Sequence, residues 1–215
     1  MFHRVDNPIA VPDLGRKPDG PPGDFLFVGR LSPEKGAAIF AEAARIAGVR
    51  PVFVGDGPSA DELQARYPDA AFLGWKSPRE VLGLMRSARA LVFPSVCYEG
   101  QPLTVYEALA LGTPVIVSDA CAGREAIVDG ENGLWFRSGD AASLAGELSD
   151  HAVADRMSGA AYARYWAAPL TMDRHLDCLL DIYGRAAAET RATQVSAYPP
   201  AEPVGRRRAT PAPLA

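Results

Sequence analysis

The chain has 215 residues, of which 48% are hydrophobic, and its formal net charge is −4 at pH 7. This length and composition predict one domain of ordinary size with a substantial core, together with additional segments. The acidic balance, with an isoelectric point near 5.4, argues against a general binder of nucleic-acid backbones, which usually carries a basic field.

Cysteine usage and hydropathy indicate the compartment. The three cysteines, Cys97, Cys121 and Cys178, are odd in number and lack the spacing of metal sites, so we expect buried, reduced thiols. The sequence contains no run of about 18 apolar residues, so it predicts no membrane span. The first residues after Met1 lack the apolar region of a signal peptide. These features predict a cytoplasmic protein and leave peripheral membrane contact open.

The first 23 residues predict an extended linker that does not pack, because prolines and glycines interrupt it throughout. A domain from residue 24 to 189 follows. Its apolar runs at 25–28 and 51–54 predict buried strands, and the alanine-rich segment at 37–47 predicts the helix between them. The alternation continues with a helix at 60–67, a strand at 71–73 and a helix at 78–88. Ser77 and Glu80 form a capping-box pattern at the start of that helix.

The stretch from Pro94 to Ser118 is central to the domain. A buried strand at 90–93 precedes it, and the stretch itself predicts a polar turn, a helix from Pro102 to Gly112 and a strand at 114–117. A helical turn at 123–127, a strand at 133–136 and helices at 140–148, 153–167 and 172–188 follow. From Thr190 onward apolar periodicity is lost, which predicts a disordered tail that includes Arg206 to Arg208.

Strands that alternate with helices in this way predict right-handed βαβ units. The expected fold class is therefore α/β, with a single Rossmann-like parallel sheet, helices on both faces, C-terminal helices and a disordered tail. In such a sheet, ligands bind beyond the carboxyl ends of the strands.

Charged residues stand in two of the loops at those ends. Arg30 and Lys35, in the loop after the first strand, could neutralise a pyrophosphate, or they could be solvated loop charges. Glu99 and Glu107 bracket the start of the helix at Pro102, where free N–H groups and the helix dipole favour anions, and where a carboxylate could accept ligand hydroxyls. Alone, they could also be a capping acid and a solvent-facing acid.

Other chemistries lack their motifs. Gly55-x-Gly57 lacks the third glycine of the dinucleotide fingerprint, and no Gly-Lys-Ser/Thr phosphate loop is present. His3, His151 and His175 do not have the spacing of metal ligands. The Gly-x-Ser-x-Gly motif of a serine hydrolase is absent from the sequence. We therefore expect no metal and no cofactor. Trp75 could lie near a base, whereas Trp135 and Trp166 are expected in packing roles.

Several motifs occur together and in order. They are Gly29-Arg-Leu-Ser-Pro-Glu-Lys-Gly36, Val54-Gly-Asp-Gly-Pro58, Phe72-Leu-Gly-Trp75, the stretch from Pro94 to Asp119 with its Glu-x7-Glu element, and Glu125-x-Ile-Val-Asp-Gly-x-Asn-Gly-Leu134. Between Asn7 and Tyr183 the chain resembles the C-terminal, donor-binding half of the retaining glycosyltransferases of family 4 (group 1), whose GT-B fold has two Rossmann-like domains facing across a cleft. The resemblance implies metal-independent transfer of a sugar from a nucleotide-diphosphate sugar to an unknown acceptor.

The resemblance also implies roles for individual residues. Glu107 matches the glutamate that binds the ribose, and Glu99 the one that contacts the donor sugar, while Arg30 and Lys35 match the pair that neutralises the diphosphate. Backbone N–H groups near 100–103 match the turn that holds phosphates and sugar, and residues 74–76 match the segment that contacts the base. The implied catalytic residues are Arg30, Lys35 and Glu99, and the implied donor-binding residues are Gly29, Trp75, Gly100, Gln101, Pro102, Leu103 and Glu107. Gln101 stands where the family often has an aromatic residue or glycine. Glu125 matches a recurrent glutamate without an assigned role.

Because the family reaction occurs between two domains, three hypotheses follow for this chain. It is the donor half of a glycosyltransferase, whose acceptor-binding half is a separate N-terminal chain or was lost to a truncated reading frame; it is a nucleotide-sugar binding module without transfer activity; or it is a relic that serves protein interaction. We prefer the first. The expected ligand is a nucleotide sugar, no nucleic acid is expected as a partner, and the resemblance places the reaction in bacterial polysaccharide or glycolipid synthesis.

Overall fold

The computed structural model describes residues 3–18, 23–149 and 153–197 of the chain. Residues 6–175 form a compact unit that contains the whole sheet. Residues 3–5 and 176–197 belong to a second, smaller unit. None of the described helices is long and apolar enough to cross a membrane.

Within the described residues, six parallel strands form one sheet. The strands are β1 (Phe25–Val28), β2 (Pro51–Val54), β3 (Ala71–Phe72), β4 (Ala90–Phe93), β5 (Val115–Ser118) and β6 (Gly133–Phe136). Their spatial order is β3-β2-β1-β4-β5-β6, and every neighbouring pair is parallel. The order reverses between β1 and β4, which opens a crevice at the carboxyl ends of these two strands.

The helices lie close to their predicted positions. They are α1 (Ala37–Ala47), α2 (Ala60–Arg66), α3 (Pro78–Ser87), α4 (Leu103–Ala110), α5 (Ala141–Ser149), α6 (Val153–Ala167) and α7 (Met172–Ala197), and short 3-10 helices cover Pro33–Lys35 and Ala122–Ala126. The capping box at α3 is confirmed, because Ser77 accepts from the Glu80 N–H and Glu80 accepts from the Ser77 N–H. Pro102 is the N-cap of α4 and not its first helical residue.

The core consists of two apolar clusters, one on each face of the sheet. Alternate residues of β1 separate them, since Leu26 belongs to one cluster and Phe25 and Phe27 to the other. Met85 of α3, Val105 of α4 and Ala161 of α6 are buried on the Leu26 face. Phe40 of α1, Leu63 of α2 and Leu144 of α5 are buried on the opposite face. This arrangement confirms the α/β fold class with helices on both faces.

The amino-terminal segment packs against the domain, which corrects the expectation of an unpacked linker over the first 23 residues. Residues 3–18 form neither helix nor strand, but Ile9 and Val11 are buried in the cluster on the Leu26 face. The Ile9 N–H donates to the Leu170 carbonyl at 2.7 Å, and the Arg86 guanidinium donates to three successive carbonyls, those of Leu14, Gly15 and Arg16. Prolines prevent regular structure, yet single apolar side chains can still be buried without it.

Two further expectations change. α7 continues through residues 190–197, where disorder was expected, because an established helix gains one backbone hydrogen bond with each residue added, even without an apolar stripe. Arg206 to Arg208 lie outside the described residues. All three cysteines are free, but Cys178 is exposed and Cys97 only half-buried, so the expectation of burial is met at Cys121 alone. Trp135 and Trp166 pack against the core, as predicted.

Candidate functional site

Two loops border the crevice, the loop from 29 to 36 after β1 and the loop from 94 to 102 after β4. Gly36 has a φ of 71°, and a Cβ there would lie 2.0 Å from the Pro94 carbonyl oxygen, so only glycine allows this approach. The Val96 N–H donates to the Glu34 carbonyl at 3.0 Å, and the buried Ser95 hydroxyl donates to the same carbonyl at 3.2 Å. The two loops therefore hold each other in place.

The loop after β2 supports the loop after β1 from the other side. A Cβ on Gly55 would lie 2.0 Å from the Gly29 carbonyl oxygen, and one on Gly57 would lie 2.4 Å from the Leu31 carbonyl oxygen. The Leu31 N–H donates to the Asp56 carbonyl at 2.9 Å. The Gly-Asp-Gly motif does not match the dinucleotide fingerprint. It instead shapes the site, because its glycines allow the backbone of the loop after β2 to contact the backbone of the loop after β1.

A pocket of about 330 Å³ lies in this crevice. Its lining residues are Phe27, Val28, Gly29, Arg30, Lys35, Phe93, Glu99, Gln101, Pro102, Leu103 and Thr104. Most of the site residues expected from the sequence are among them. Three are not, namely Trp75, Gly100 and Glu107. In the parts of the chain that the structure describes, no three His, Cys, Asp or Glu side chains are arranged to hold a metal ion.

Lys35 and Glu99 meet inside the pocket. The Lys35 Nζ lies 3.0 Å from the Glu99 Oε2, with the Glu99 side chain only 18% exposed. The other carboxylate oxygen, Oε1, is buried and has no hydrogen-bond partner among the described residues. An unsatisfied buried acceptor typically costs about 1–3 kcal/mol, which a ligand hydroxyl would recover. Arg30 lies on the same wall and is exposed.

The first turn of α4 adds backbone donors. Leu103 and Thr104 line the pocket at the start of this helix, where the first N–H groups have no intrahelical carbonyl to bond. Together with the positive end of the helix dipole, these groups favour an anion or an electronegative oxygen in the pocket.

Glu107 lies one turn further along α4, outside the pocket lining. Burial raises the pKa of its carboxyl above the ordinary value. Burial also raises the pKa of the neighbouring Tyr165 phenol, and the Glu107 carboxylate adds to that shift. No described side chain forms a hydrogen bond or an ion pair with Glu107. Its carboxylate therefore remains available as a hydrogen-bond acceptor.

Trp75 lies apart from the pocket. It follows β3, on the far side of β2, and its side chain is 75% exposed. Gly74 before it has a φ of 67°, and its carbonyl accepts the Gly55 N–H at 2.9 Å. Gly100 is exposed at the tip of the loop after β4, and Glu125 is exposed outside the pocket.

The structure adds residues that sequence reasoning missed. Phe27, Phe93 and Thr104 line the pocket although they were assigned to a strand or a helix; the position of Phe93 at a strand end was the available signal. The Asn7 N–H donates to the Gln101 Oε1 at 2.6 Å, and the Gln101 Nε2 donates to the Asn7 carbonyl at 3.1 Å. No local pattern could have indicated this contact between residues 94 positions apart.

Comparisons with known proteins agree with this arrangement. The sequence model of the family described as "Glycosyl transferases group 1" matches residues 22–152. A glycogen synthase of Mycobacterium tuberculosis is 34% identical over 168 residues, which is 71% of this chain and 40% of that protein. A GDP-mannose-dependent alpha-mannosyltransferase of the same species is 35% identical over 147 residues, covering 68% of this chain and 38% of that protein.

Solved structures show the same fold. The HepE protein of Anabaena in complex with UDP superposes with a TM-score of 0.62 at 21% identity, covering 77% of this chain and 49% of that one. The C-terminal domain of a group 1 glycosyl transferase from Francisella tularensis gives a TM-score of 0.60 at 25% identity, with 68% and 87% covered. The chain thus spans about two fifths of the length of the curated relatives described above. Its fold is that of the two solved structures described above, and its sequence places the chain in the glycosyl transferases group 1.

Proposed function

We propose that the pocket binds a nucleotide-diphosphate sugar and that the chain supplies the donor-binding part of a glycosyltransferase. One observation carries the proposal: Lys35 and Glu99 converge where the strand order reverses, and one Glu99 oxygen is buried without a partner. An ammonium suits a diphosphate, and a carboxylate suits the hydroxyls of a sugar. The HepE structures with UDP and UDP-glucose support the same ligand class.

Donor binding in this proposal separates the Lys35–Glu99 pair. Lys35 and Arg30 turn to the diphosphate, and Glu99 accepts from a sugar hydroxyl. The departing diphosphate is stabilised by these two cations and by the first-turn N–H groups of α4, so no metal is required. The pocket of about 330 Å³ matches the sugar and diphosphate, while the nucleoside extends beyond it, with Glu107 on the ribose and the Gly74–Lys76 segment near the base.

We further propose that the acceptor is bound by a second domain outside this chain. Transfer with retention of configuration requires a second domain that orients the acceptor and excludes water, as in two-domain relatives. Incubating the chain with an N-terminal half from a relative, a nucleotide sugar and candidate acceptors tests this part, with the anomeric configuration read by NMR. Donor binding without transfer in that assay would instead identify a nucleotide-sugar binding module.

Calorimetric titration tests the donor site directly. We expect UDP, GDP, UDP-glucose or GDP-mannose to bind with a dissociation constant between about 10 µM and 1 mM. Arg30→Ala combined with Lys35→Ala should weaken binding at least about tenfold, because two charge-assisted contacts to the diphosphate are lost. The control is Arg50→Ala with Arg79→Ala, which removes the same charge from exposed positions outside the pocket. Absence of binding by all four compounds at millimolar concentration would refute the proposed donor site.

A further inference from the structure

The segment from Asp6 to Ile9, called the strap below, runs past the pocket and is held at three points. The His175 Nδ1 lies 2.8 Å from the Asp6 carbonyl oxygen, and the Ile9 N–H donates to the Leu170 carbonyl at 2.7 Å. Ile9 itself is 8% exposed. These two anchors fix the strap on both sides of Asn7 without any help from the pocket.

The third point is the contact between Asn7 and Gln101, which involves only the backbone of Asn7. Its N–H donates to the Gln101 Oε1 at 2.6 Å, and its carbonyl accepts from the Gln101 Nε2 at 3.1 Å. A backbone N–H can meet only the oxygen of an amide, and a carbonyl only its nitrogen. The strap therefore determines which way the amide of Gln101 faces.

A primary amide offers two N–H donors and two acceptor lone pairs. Asn7 uses one of each, so one N–H and one lone pair of Gln101 remain, and Gln101 lines the same pocket as Lys35 and Glu99. Ordering a free glutamine side chain on ligand binding costs rotamer entropy. Here the strap has already ordered the side chain before any ligand arrives.

We propose that the strap is a positioning element of the ligand pocket, and that Gln101 is the ligand-contacting residue through which it acts. Held by Asn7, Gln101 presents a fixed N–H donor and a fixed lone pair to polar groups of the bound nucleotide sugar. This inference rests on the proposed donor site. It adds a contact that a bare loop after β4 would leave unordered.

Two variants each disrupt the hydrogen bonds between Asn7 and Gln101, one from each residue. Asn7→Pro deletes the N–H donor, and Gln101→Leu deletes the amide. The matched control is Asn7→Ala, which keeps both backbone groups. Because the anchors at Asp6 and Ile9 remain, we expect all three variants to melt within a few degrees of the unaltered chain.

The first readout needs no ligand. The side-chain NH₂ signals of Gln101, assigned by their loss in Gln101→Leu, should move toward the free-glutamine position in Asn7→Pro and stay unchanged in Asn7→Ala. Unchanged signals in Asn7→Pro would overturn the role of the strap.

The second readout is the dissociation constant of UDP-glucose and of GDP-mannose. Asn7→Pro and Gln101→Leu should each raise the dissociation constant of whichever compound binds by about threefold to tenfold. In Asn7→Pro the ligand must order the Gln101 amide itself, and in Gln101→Leu the amide is absent. The double variant should bind the compound as tightly as Gln101→Leu does, since both changes interrupt the same contact. Losses that multiply in the double variant, or no loss in Asn7→Pro, would overturn the proposal. If the unaltered chain binds neither compound and also fails to bind UDP and GDP at millimolar concentration, the donor site itself is refuted, and the NH₂ signals still decide the orientation of Gln101.

Discussion

Glu99 and Glu107 lie in different electrostatic surroundings, although both are partly buried. Glu99 is balanced by the Lys35 ammonium at 3.0 Å. Glu107 has no such partner among the described residues, and burial raises the pKa of its carboxyl. A carboxyl with a raised pKa is ionised less readily in the folded protein than in the unfolded chain. Its ionisation at neutral pH therefore lowers the stability of the unliganded protein.

Replacing Glu107 should make this cost visible. At pH 7, Glu107→Gln is expected to raise the free energy of unfolding by on the order of 1 kcal/mol, since a buried charge is removed. The penalty is present above the raised pKa of the folded state and disappears as the pH falls toward the ordinary value of 4.5. The advantage of the variant, measured by urea unfolding, should therefore shrink over that fall in pH.

The control for this experiment is Glu62→Gln on α2, which removes the same charge from an exposed position. It should change the free energy of unfolding little at either pH. A Glu107→Gln variant that is less stable than the unaltered chain at pH 7 would mean that the carboxylate has a stabilising partner after all. In the proposed donor site, the same variant should also weaken nucleotide binding in the calorimetric titration, because an amide is a weaker acceptor for ribose hydroxyls than a carboxylate.

At the scale of elements, the site depends on backbone contact between loops that follow different strands. The loops after β1 and β4 meet at Gly36 and Pro94, and the loops after β1 and β2 meet at Gly29 and Gly55. Lys35 precedes the first of these contacts directly. Its distance from Glu99 is thus set by how closely the loops approach, and not by the two side chains alone.

Gly36→Ala tests this dependence. The new methyl group would meet the Pro94 carbonyl oxygen in addition to the backbone strain at a φ of 71°, so we expect a loss of about 3 kcal/mol or more in the free energy of unfolding. Gly48→Ala is the matched control, with a φ of 67° and nothing within 4 Å of the added Cβ. It should lose only about 1–2 kcal/mol. Equal losses in urea unfolding would show that the contact with Pro94 contributes nothing.

At the scale of the whole molecule, the amino-terminal segment is part of the folded domain. Ile9 and Val11 belong to the same buried cluster as Leu91 and Val115 of the central strands. The unit that holds the sheet accordingly starts at Asp6 and ends at His175, whereas composition placed the start of the domain at residue 24.

Truncating these two side chains should therefore destabilise the entire sheet. Ile9→Ala with Val11→Ala is expected to lower the free energy of unfolding by about 2–4 kcal/mol, because buried methyl groups are lost and cavities remain. Tryptophan fluorescence during urea unfolding measures the effect. Ile46→Ala, at a position 51% exposed on α1, should cost less than about 1 kcal/mol. A double variant as stable as this control would restore the interpretation of an unpacked linker.

Features that leave a local pattern in the sequence were predictable, and contacts between distant residues were not. Strands such as Phe25–Val28 and Ala90–Phe93 were predictable because parallel strands are buried on both faces and read as continuous apolar runs. The loops with Arg30, Lys35 and Glu99 were predictable because parallel strands end at one edge of the sheet. The burial of Ile9 and the pairing of Asn7 with Gln101 were not, since neither leaves a periodic signal and both join residues distant in sequence.

In the ion pair between Lys35 and Glu99, each of these two pocket charges already has its counter-charge within the protein. Any ligand must compete with this internal contact. A free phosphate can take Lys35 but leaves Glu99 buried and uncompensated, and a neutral sugar can take Glu99 but leaves Lys35 without its anion. A molecule that carries both an anionic group and a hydroxyl satisfies the two residues together. In the proposed donor site, the pair should therefore favour such a joined ligand over a fragment that replaces only one partner.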